Sequence, residues 1–341
     1  NMIESDYPPV SLPEDPYHEI LLRAIKRQID IGTNKVAFIN GHQRNEVITF
    51  KQVYDTAYSI AAFLYMKGFM KDVACVFIPN LWHYASFFLG VTLRGGAISG
   101  ASPTSTEYEL QCQVVDSGAK VVLTSEQYLE KIMNVIKETT KVQFVIYIPE
   151  TADFCAPVGV ISWNDVVKIS PSTPIPKVMI DVDKDIVILP YSSGTTGSPK
   201  GVMITHRNLA TMLSIYIRLE STNITPVLDA NWNYEKEKLI LFLPFYHAYG
   251  FGLINLCLLQ GCTGITFKYF EPISFCKAIQ DYKIHFLAVV PPVLVFLAKH
   301  PICKQYDLSS LKLLMCGAAP AGKDICEEIS NKYPSIKYIQ Q

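Results

Sequence analysis

The sequence predicts an α/β protein made of two stacked layers, each built on a parallel sheet. Short apolar strands alternate with helical segments from residue 73 to 148, and a second alternation runs from 239 to 339. Composition agrees, because 49% of the 341 residues are hydrophobic and only 18% are charged, as suits strands covered on both faces. We expect a first layer over 50–220 and a second over 221–341, preceded by an arm and helix over 1–49.

Helix-capping signals define the first layer. After a proline-rich arm, a helix is predicted over 19–30, and the Thr-x-x-Gln box at Thr49 begins a second helix that ends at Gly68. Phe87 and Phe88 are assigned to the core. Four strands and the three helices between them complete the layer, with strands at 73–78, 97–101, 120–124 and 142–148 and helices at 82–94, 106–117 and 125–139. Residues 150–177 are expected to be a long connection.

The second layer follows a stretch at 223–237 that is expected to be a polar surface loop. Five strands are predicted, at 239–243, 262–267, 285–290, 311–315 and 336–339. The helices between them are predicted at 248–259, 272–282, 291–299 and 320–332. The apolar run 286–298 is too short to cross a membrane and contains Pro291 and Pro292, so we assign it to the core.

One loop suits a polyphosphate better than any other part of the chain. The apolar strand Ile186–Leu189 leads into a segment of small residues and hydroxyls that closes on a lysine. Glycines let backbone N–H groups converge on one point, hydroxyls add donors, and the lysine adds a positive charge. The predicted phosphate-binding residues are Ser192, Ser193, Gly194, Thr195, Thr196, Gly197 and Lys200.

Two other interpretations of this loop are less favoured. A Walker-type P-loop requires Gly-Lys-Ser/Thr, whereas Lys200 stands three residues after Gly197 and is followed by Gly201. A flexible surface loop would explain an isolated glycine pair. It does not explain five hydroxyls, two glycines and a lysine directly after an apolar strand.

The segment 191–203, together with Thr205-His-Arg-Asn-Leu209, resembles the AMP-binding signature of the adenylate-forming superfamily. That superfamily includes acyl-CoA synthetases, 4-coumarate–CoA ligases and firefly luciferase. The resemblance runs over nearly the whole chain and implies two stacked α/β subdomains of the superfamily's N-terminal domain. It also implies a missing C-terminal domain, so that the chain looks like a truncated N-terminal portion.

Two further segments resemble superfamily motifs. The resemblance of 243–251 places His247 near the acid carboxylate and the α-phosphate, and Tyr249 in the acid pocket. A histidine after a strand is otherwise more often a structural hydrogen-bonding residue. The segment 315–320 resembles the strand and loop beside adenine and the acid, which implies roles there for Gly317, Ala318, Ala319 and Pro320. Without the resemblance, this segment reads equally well as a tight turn, with Pro320 in the first turn of a helix.

The resemblance implies ATP, Mg²⁺ and CoA as co-substrates or cofactors, with Lys200, His247 and Thr196 as the candidate catalytic residues. Carboxylate attack on the α-phosphate depends on positioning and charge neutralisation. The superfamily's metal-holding Glu, ribose-holding Asp and catalytic C-terminal Lys would lie after Gln341, so no metal ligand is assigned. We therefore expect this chain alone to be impaired.

The implied activity is formation of an acyl-adenylate from a fatty or aryl acid, followed by a thioester with CoA. A luciferase-like monooxygenase shares the first step and is one alternative. A non-catalytic ATP-binding product of early termination is another.

The partners and compartment follow from charge and cysteine content. A net charge of −1 gives no electrostatic case for nucleic acid or an anionic membrane. The nine cysteines are scattered without a C-x-x-C, which predicts reduced thiols in an intracellular protein, cytoplasmic or peroxisomal. Glu4 and Asp6 stand where a signal peptide would need basic and apolar residues. The sequence makes no prediction of oligomeric state.

Overall fold

The computed structural model describes residue 5 and residues 7–151, 154–192, 199–228 and 232–340. The chain begins with helix α1 (Tyr17–Ile31), strands β1 (Val36–Asn40) and β2 (Val47–Thr49), and helix α2 (Phe50–Met66). The predicted cap of α2 is confirmed. The Thr49 hydroxyl accepts from the Gln52 N–H, and the Gln52 side chain accepts from the Thr49 N–H at 2.8 Å.

Strands and helices then alternate to form the first layer. In order they are β3 (Val73–Phe77), α3 (His83–Leu93), β4 (Ala97–Gly100), α4 (Glu107–Ser117), β5 (Val121–Ser125), α5 (Leu129–Ile136), β6 (Phe144–Ile148), β7 (Val160–Ser162), α6 (Trp163–Val166) and β8 (Ile186–Ile188). A hairpin of β9 (Tyr191–Ser192) and β10 (Lys200–Gly201) follows, and then β11 (Ile204–Thr205), α7 (His206–Leu219) and α8 (Thr225–Leu228). Seven strands form one sheet in the order β11-β8-β4-β3-β5-β6-β7, in which β11 alone is antiparallel to its neighbour.

The core of this layer lies where α2 and α3 pack on the sheet. Phe87 and Phe88 are both 0% exposed, which confirms their assignment to the core. The stretch predicted as a long connection is only partly irregular, because Val160 pairs with Val145 and adds β7 to the sheet. Trp163 of α6 is also buried. The apolar side chains of this stretch therefore explain β7 and α6, the two elements that the prediction lacks.

The second layer contains β12 (Lys238–Leu241), α9 (Ala248–Gln260), β13 (Thr263–Thr266), α10 (Pro272–Tyr282), β14 (Phe286–Val289), α11 (Pro291–Lys299), β15 (Leu313–Cys316), α12 (Lys323–Lys332) and β16 (Tyr338–Gln340). Its strands form two separate sheets instead of one, in the orders β12-β13-β1-β2 and β14-β15-β16. All the neighbours are parallel except β1 and β2. None of the helices in the described ranges is both long and apolar enough to cross a bilayer.

Two sequence-based expectations are wrong here. The region 1–49, predicted as an arm and a helix, also contains β1 and β2. Phe38 of β1 pairs with Gly264 of β13, so β1 belongs to the four-stranded sheet of the second layer. The stretch 223–237, predicted as a polar loop, instead starts with the end of a π-helical turn, Glu220–Ile224, followed by α8. Ile224 and Leu228 are 2% and 1% exposed, so burial of these apolar side chains holds the segment against the core.

Candidate functional site

The base of the predicted phosphate loop is a pair of antiparallel strands, β9 and β10, of two residues each. Ser192 pairs with Lys200, and Tyr191 pairs with Gly201. Both Ser192 and Lys200 are exposed, so their side chains are available to a ligand. The other predicted loop residues, Ser193, Gly194, Thr195, Thr196 and Gly197, lie outside the described residues.

Tyr191 fastens this hairpin to the first layer. Its hydroxyl donates to Asp116 Oδ2 at the end of α4, at 2.5 Å. Burial, together with this hydrogen bond to Asp116, raises the pKa of Tyr191. Its ring also covers Gly201, where a Cβ atom would lie 3.0 Å from Tyr191 Cζ. A side chain at 201 would therefore require the Tyr191 ring to shift.

His247 occupies the N-cap position of α9, directly after the loop that follows β12. Its Nδ1 accepts from the Tyr249 N–H at 3.2 Å, and its side chain is exposed. Because Nδ1 is an acceptor, the neutral ring carries its proton on Nε2. This nitrogen is then a hydrogen-bond donor suited to a carboxylate or phosphate oxygen.

Tyr249 brings the second and third predicted motifs together. Its hydroxyl donates to the Met315 carbonyl at 2.7 Å. A Cβ atom at Gly317 would lie 2.8 Å from Tyr249 Cε1, so the ring packs directly on this glycine. Burial raises the pKa of Tyr249, and the phenol stays neutral in the ordinary pH range. It can shape a pocket through its ring, but its hydroxyl proton is already donated.

The segment after β15 differs from its prediction in one respect. The Gly317 N–H donates to the Val289 carbonyl at 3.1 Å, which ties the end of β15 to β14. Ala318 adopts the left-handed conformation with φ 70°, which turns the chain away from the strand. Ala319 and Pro320 are exposed. Pro320 does not lie in the first turn of a helix, because α12 begins only after Gly322.

A cleft of ≈ 660 Å³ lies at the carboxyl end of β4. Its lining includes Gly100, Gln113 of α4, Ser192 of the hairpin, and Tyr246 and His247 of the second layer. The cleft therefore brings the start of the predicted phosphate loop and the candidate histidine together. Carboxyl ends of parallel strands are where open α/β sheets usually bind ligands.

A larger groove of ≈ 820 Å³ adjoins this cleft and runs between the strand ends of the two layers. Lys268 and Glu150 lie across it, with Nζ and Oε1 3.6 Å apart. The Ser102 and Tyr246 hydroxyls, 3.2 Å apart, line both spaces. Sequence reasoning does not identify this groove, because its residues come from distant parts of the chain and form no motif.

Asn80 is a second feature that the sequence motifs do not reveal. It bridges β3 to the loop that leads to His247, through its side-chain amide. The available signal is a polar residue three positions after the end of an apolar parallel strand. Within the described ranges, no cluster of three or more His, Cys, Asp or Glu side chains can hold a metal ion, so Mg²⁺ is assigned to no residue of this chain.

The fold is a two-layer α/β protein with a cleft at the carboxyl ends of its strands, between the β9–β10 hairpin and the loop that carries His247. The chain belongs to the AMP-binding enzyme family, whose sequence model matches residues 25–341.

Named relatives are consistent with this family. A 4-coumarate–CoA ligase of Petroselinum crispum is 32% identical over 342 residues, which cover 99% of this chain and 59% of that protein. A 4-coumarate–CoA ligase of Vanilla planifolia is 30% identical over 342 residues, which again cover 99% of this chain and 59% of that protein. The chain thus spans less than two thirds of the length of these relatives.

Solved structures are similar over almost all of this chain. A red-emitting luciferase from Phrixothrix hirtus has a TM-score of 0.81 and 25% identity, covering 97% of this chain and 62% of that one. A long-chain-fatty-acid–CoA ligase from Archaeoglobus fulgidus has a TM-score of 0.78 and 22% identity, covering 98% and 65%. The second similarity concerns the fold alone.

Proposed function

We propose that this protein takes part in the ATP-dependent activation of a carboxylic acid and its transfer to the thiol of CoA. The observation that carries the proposal is the cleft shared by the phosphate-loop hairpin and His247. Membership of the AMP-binding enzyme family and relatives named as 4-coumarate–CoA ligases support it. Because the chain spans only part of those relatives, the activity belongs to the intact protein.

The proposed chemistry has two steps. A carboxylate oxygen attacks the α-phosphorus of ATP, the bond to the β-phosphate oxygen breaks, and pyrophosphate leaves with its electron pair. The CoA sulfur then attacks the acyl carbon, AMP leaves, and the thiol proton passes to solvent. Both steps concentrate negative charge on oxygen, so correctly placed donors and cations supply most of the acceleration.

We assign roles to the residues in chain order. Lys200 and the donors from Ser192 to Gly197 hold the β- and γ-phosphates, and Thr196 is assigned a catalytic role with Lys200. Nε2–H of His247 donates to the acid or the α-phosphate. Tyr249 forms a wall of the acid pocket through its ring, and Gly317–Pro320 border adenine and the acid. The proposed acid is a fatty or aryl acid, a class that includes the coumarate named for the relatives.

The test is acid-dependent exchange of pyrophosphate into ATP by the intact protein. Lys200→Ala is expected to lower exchange by about 10²-fold, because one charge facing the phosphates is lost. Lys184→Ala is the matched control, since Lys184 pairs with Asp181 at the surface and should leave exchange unchanged. Wild-type exchange in Lys200→Ala would contradict the assignment. ATP binding without exchange in the unaltered protein would favour a non-catalytic role.

A luciferase-like oxygenase is the second candidate, because the Phrixothrix hirtus luciferase is similar in both sequence and fold. Such an enzyme would make the same adenylate and then oxidise it with molecular oxygen instead of transferring it. CoA-dependent release of AMP without light supports the ligase. Light emission in the presence of ATP and a luciferin supports the oxygenase.

A further inference from the structure

Asn80 joins the first layer to the loop that carries His247. It follows β3 at the carboxyl end of that strand and is 7% exposed. Its Nδ2 donates to the Leu243 carbonyl at 2.8 Å, and its Oδ1 accepts from the Phe245 N–H at 3.0 Å. One side-chain amide thus supplies a donor and an acceptor to a single stretch of backbone, as a neighbouring strand would.

The stretch that Asn80 holds is a short turn between β12 and α9. The two bonds of Asn80 flank Pro244, and the His247 N–H donates back to the Pro244 carbonyl at 3.1 Å. The backbone is therefore fixed on both sides of Pro244 and again at His247. Since Asn80 belongs to the other layer, it sets where His247 stands relative to the first sheet.

A second contact seats the same turn on the neighbouring strand. A Cβ atom at Gly100, the last residue of β4, would lie 2.8 Å from Tyr246 Cα. The Ser102 hydroxyl also donates to the Tyr246 hydroxyl at 3.2 Å. The turn is thus held against the ends of both β3 and β4, and it cannot slide without breaking the bonds of Asn80.

We propose that Asn80 is a positioning residue for acid activation, which holds the His247 imidazole in the cleft from across the two layers. The proposal depends on the role proposed above for His247. Without the amide, the Leu243 carbonyl and the Phe245 N–H lose their buried partner, and the turn must shift to find others. A displacement of the catalytic donor by about 1 Å lowers a rate by about 10²-fold.

Steady-state kinetics of acid-dependent pyrophosphate exchange test this role in the intact protein. Asn80→Ala is expected to lower kcat by about 10²-fold and to change KM for ATP by less than about twofold, because the phosphate-loop hairpin is untouched. Asn80→Asp keeps the acceptor for Phe245 but loses the donor to Leu243, so its kcat should fall between wild type and Asn80→Ala. Thr124→Val is the matched control, because the buried Thr124 hydroxyl of β5 donates at 3.2 Å to the Phe77 carbonyl of β3, the strand that Asn80 follows, without contacting the turn.

The double variant Asn80→Ala/His247→Ala separates positioning from general destabilisation. If Asn80 acts through the imidazole, the double variant is no slower than His247→Ala alone. Fully additive losses, or a kcat loss no larger than that of Thr124→Val, would overturn the proposal. Should Asn80→Ala fail to fold, Asn80→Asp and its double variant with His247→Ala decide the question in the same way.

The two proposals fail in different ways. Wild-type exchange in His247→Ala would show that the role proposed for His247 is wrong. Lost exchange in His247→Ala with normal exchange in Asn80→Ala would show that only the role of Asn80 is wrong.

Discussion

Replacing His206 with asparagine is expected to make the stability of the protein less sensitive to acid. His206 is the first residue of α7 and is 0% exposed. Its Nδ1 accepts from the Tyr17 N–H at 3.1 Å, and its ring meets that of His18 edge-on with centroids 5.5 Å apart. The two imidazoles therefore join the start of α1 to the start of α7. Asparagine keeps an acceptor near the position of Nδ1 without a group that titrates.

The magnitude follows from the pKa of the buried ring. Burial lowers the pKa of His206 from 6.5 to about 4, a shift that nearby Lys71 increases and Asp185 opposes. Burial, with smaller contributions from His206 and Lys177, lowers the pKa of His18 to about 3. Between pH 6.5 and about 4 the unfolded chain binds a proton at His206 that the folded chain does not. The free energy of unfolding is therefore complete above pH 6.5 and falls as the pH drops, by about 3 kcal/mol for His206 alone.

Urea unfolding followed by circular dichroism, near neutral pH and again near about pH 4.5, measures this difference. Wild type should lose about 2.5 kcal/mol more than His206→Asn over that interval, because pH 4.5 still lies above the folded-state pKa of about 4 and the loss is not yet complete. His300→Asn is the matched control, because the exposed His300 ring also accepts from a backbone N–H, that of Ile302 at 3.2 Å, and the variant should behave as wild type. An acid loss in His206→Asn equal to that of wild type would refute the reasoning.

Two further predictions concern the site and the core. Gly317→Ala places a methyl group 2.8 Å from the Tyr249 ring, so the ring must move and KM for the acid should rise by about tenfold, more than KM for ATP. An unchanged acid KM in pyrophosphate exchange would contradict the contact. Phe88→Ala removes a ring that is 0% exposed and packs edge-on against Phe251, with centroids 5.0 Å apart. It should lower the free energy of unfolding by about 3–5 kcal/mol, and a loss below about 1 kcal/mol in urea unfolding would show that the layers do not depend on this contact.

Local signals in the sequence predict most of the first layer, because its strands pair with neighbours close in the chain. The capping boxes at Thr49 and Thr106 set the starts of α2 and α4. Both depend only on residues three positions apart. Local signals fail at Pro320, since Ala318 has a left-handed backbone and α12 begins only at Lys323. Neither the residue type nor its neighbours indicate that conformation.

Contacts between distant residues explain what sequence reasoning misses at the site. Asn80 reads as the end of a strand, since its partners Leu243 and Phe245 are more than 160 positions away. Tyr249 and Gly317 were each predicted as site residues from their own motifs. That the ring of one lies on the backbone of the other depends on how β15 stands beside α9, which no pattern in either segment specifies.

Strand β1, from the N-terminal region, belongs to the four-stranded sheet of the second layer, and this has a consequence for folding during synthesis of the protein. Phe38 and Ile39 of β1 pair with Gly264 and Ile265 of β13. More than 220 residues that follow β1 must therefore leave the ribosome before these two strands can pair. Until then the edge of β1 that pairs with β13 has no partner strand. Pairings of such high sequence separation form late, because the entropy of closing the loop must be overcome first. The first layer, whose strands are close in the chain, can assemble earlier, and α1 and β1 then dock onto the second as it emerges.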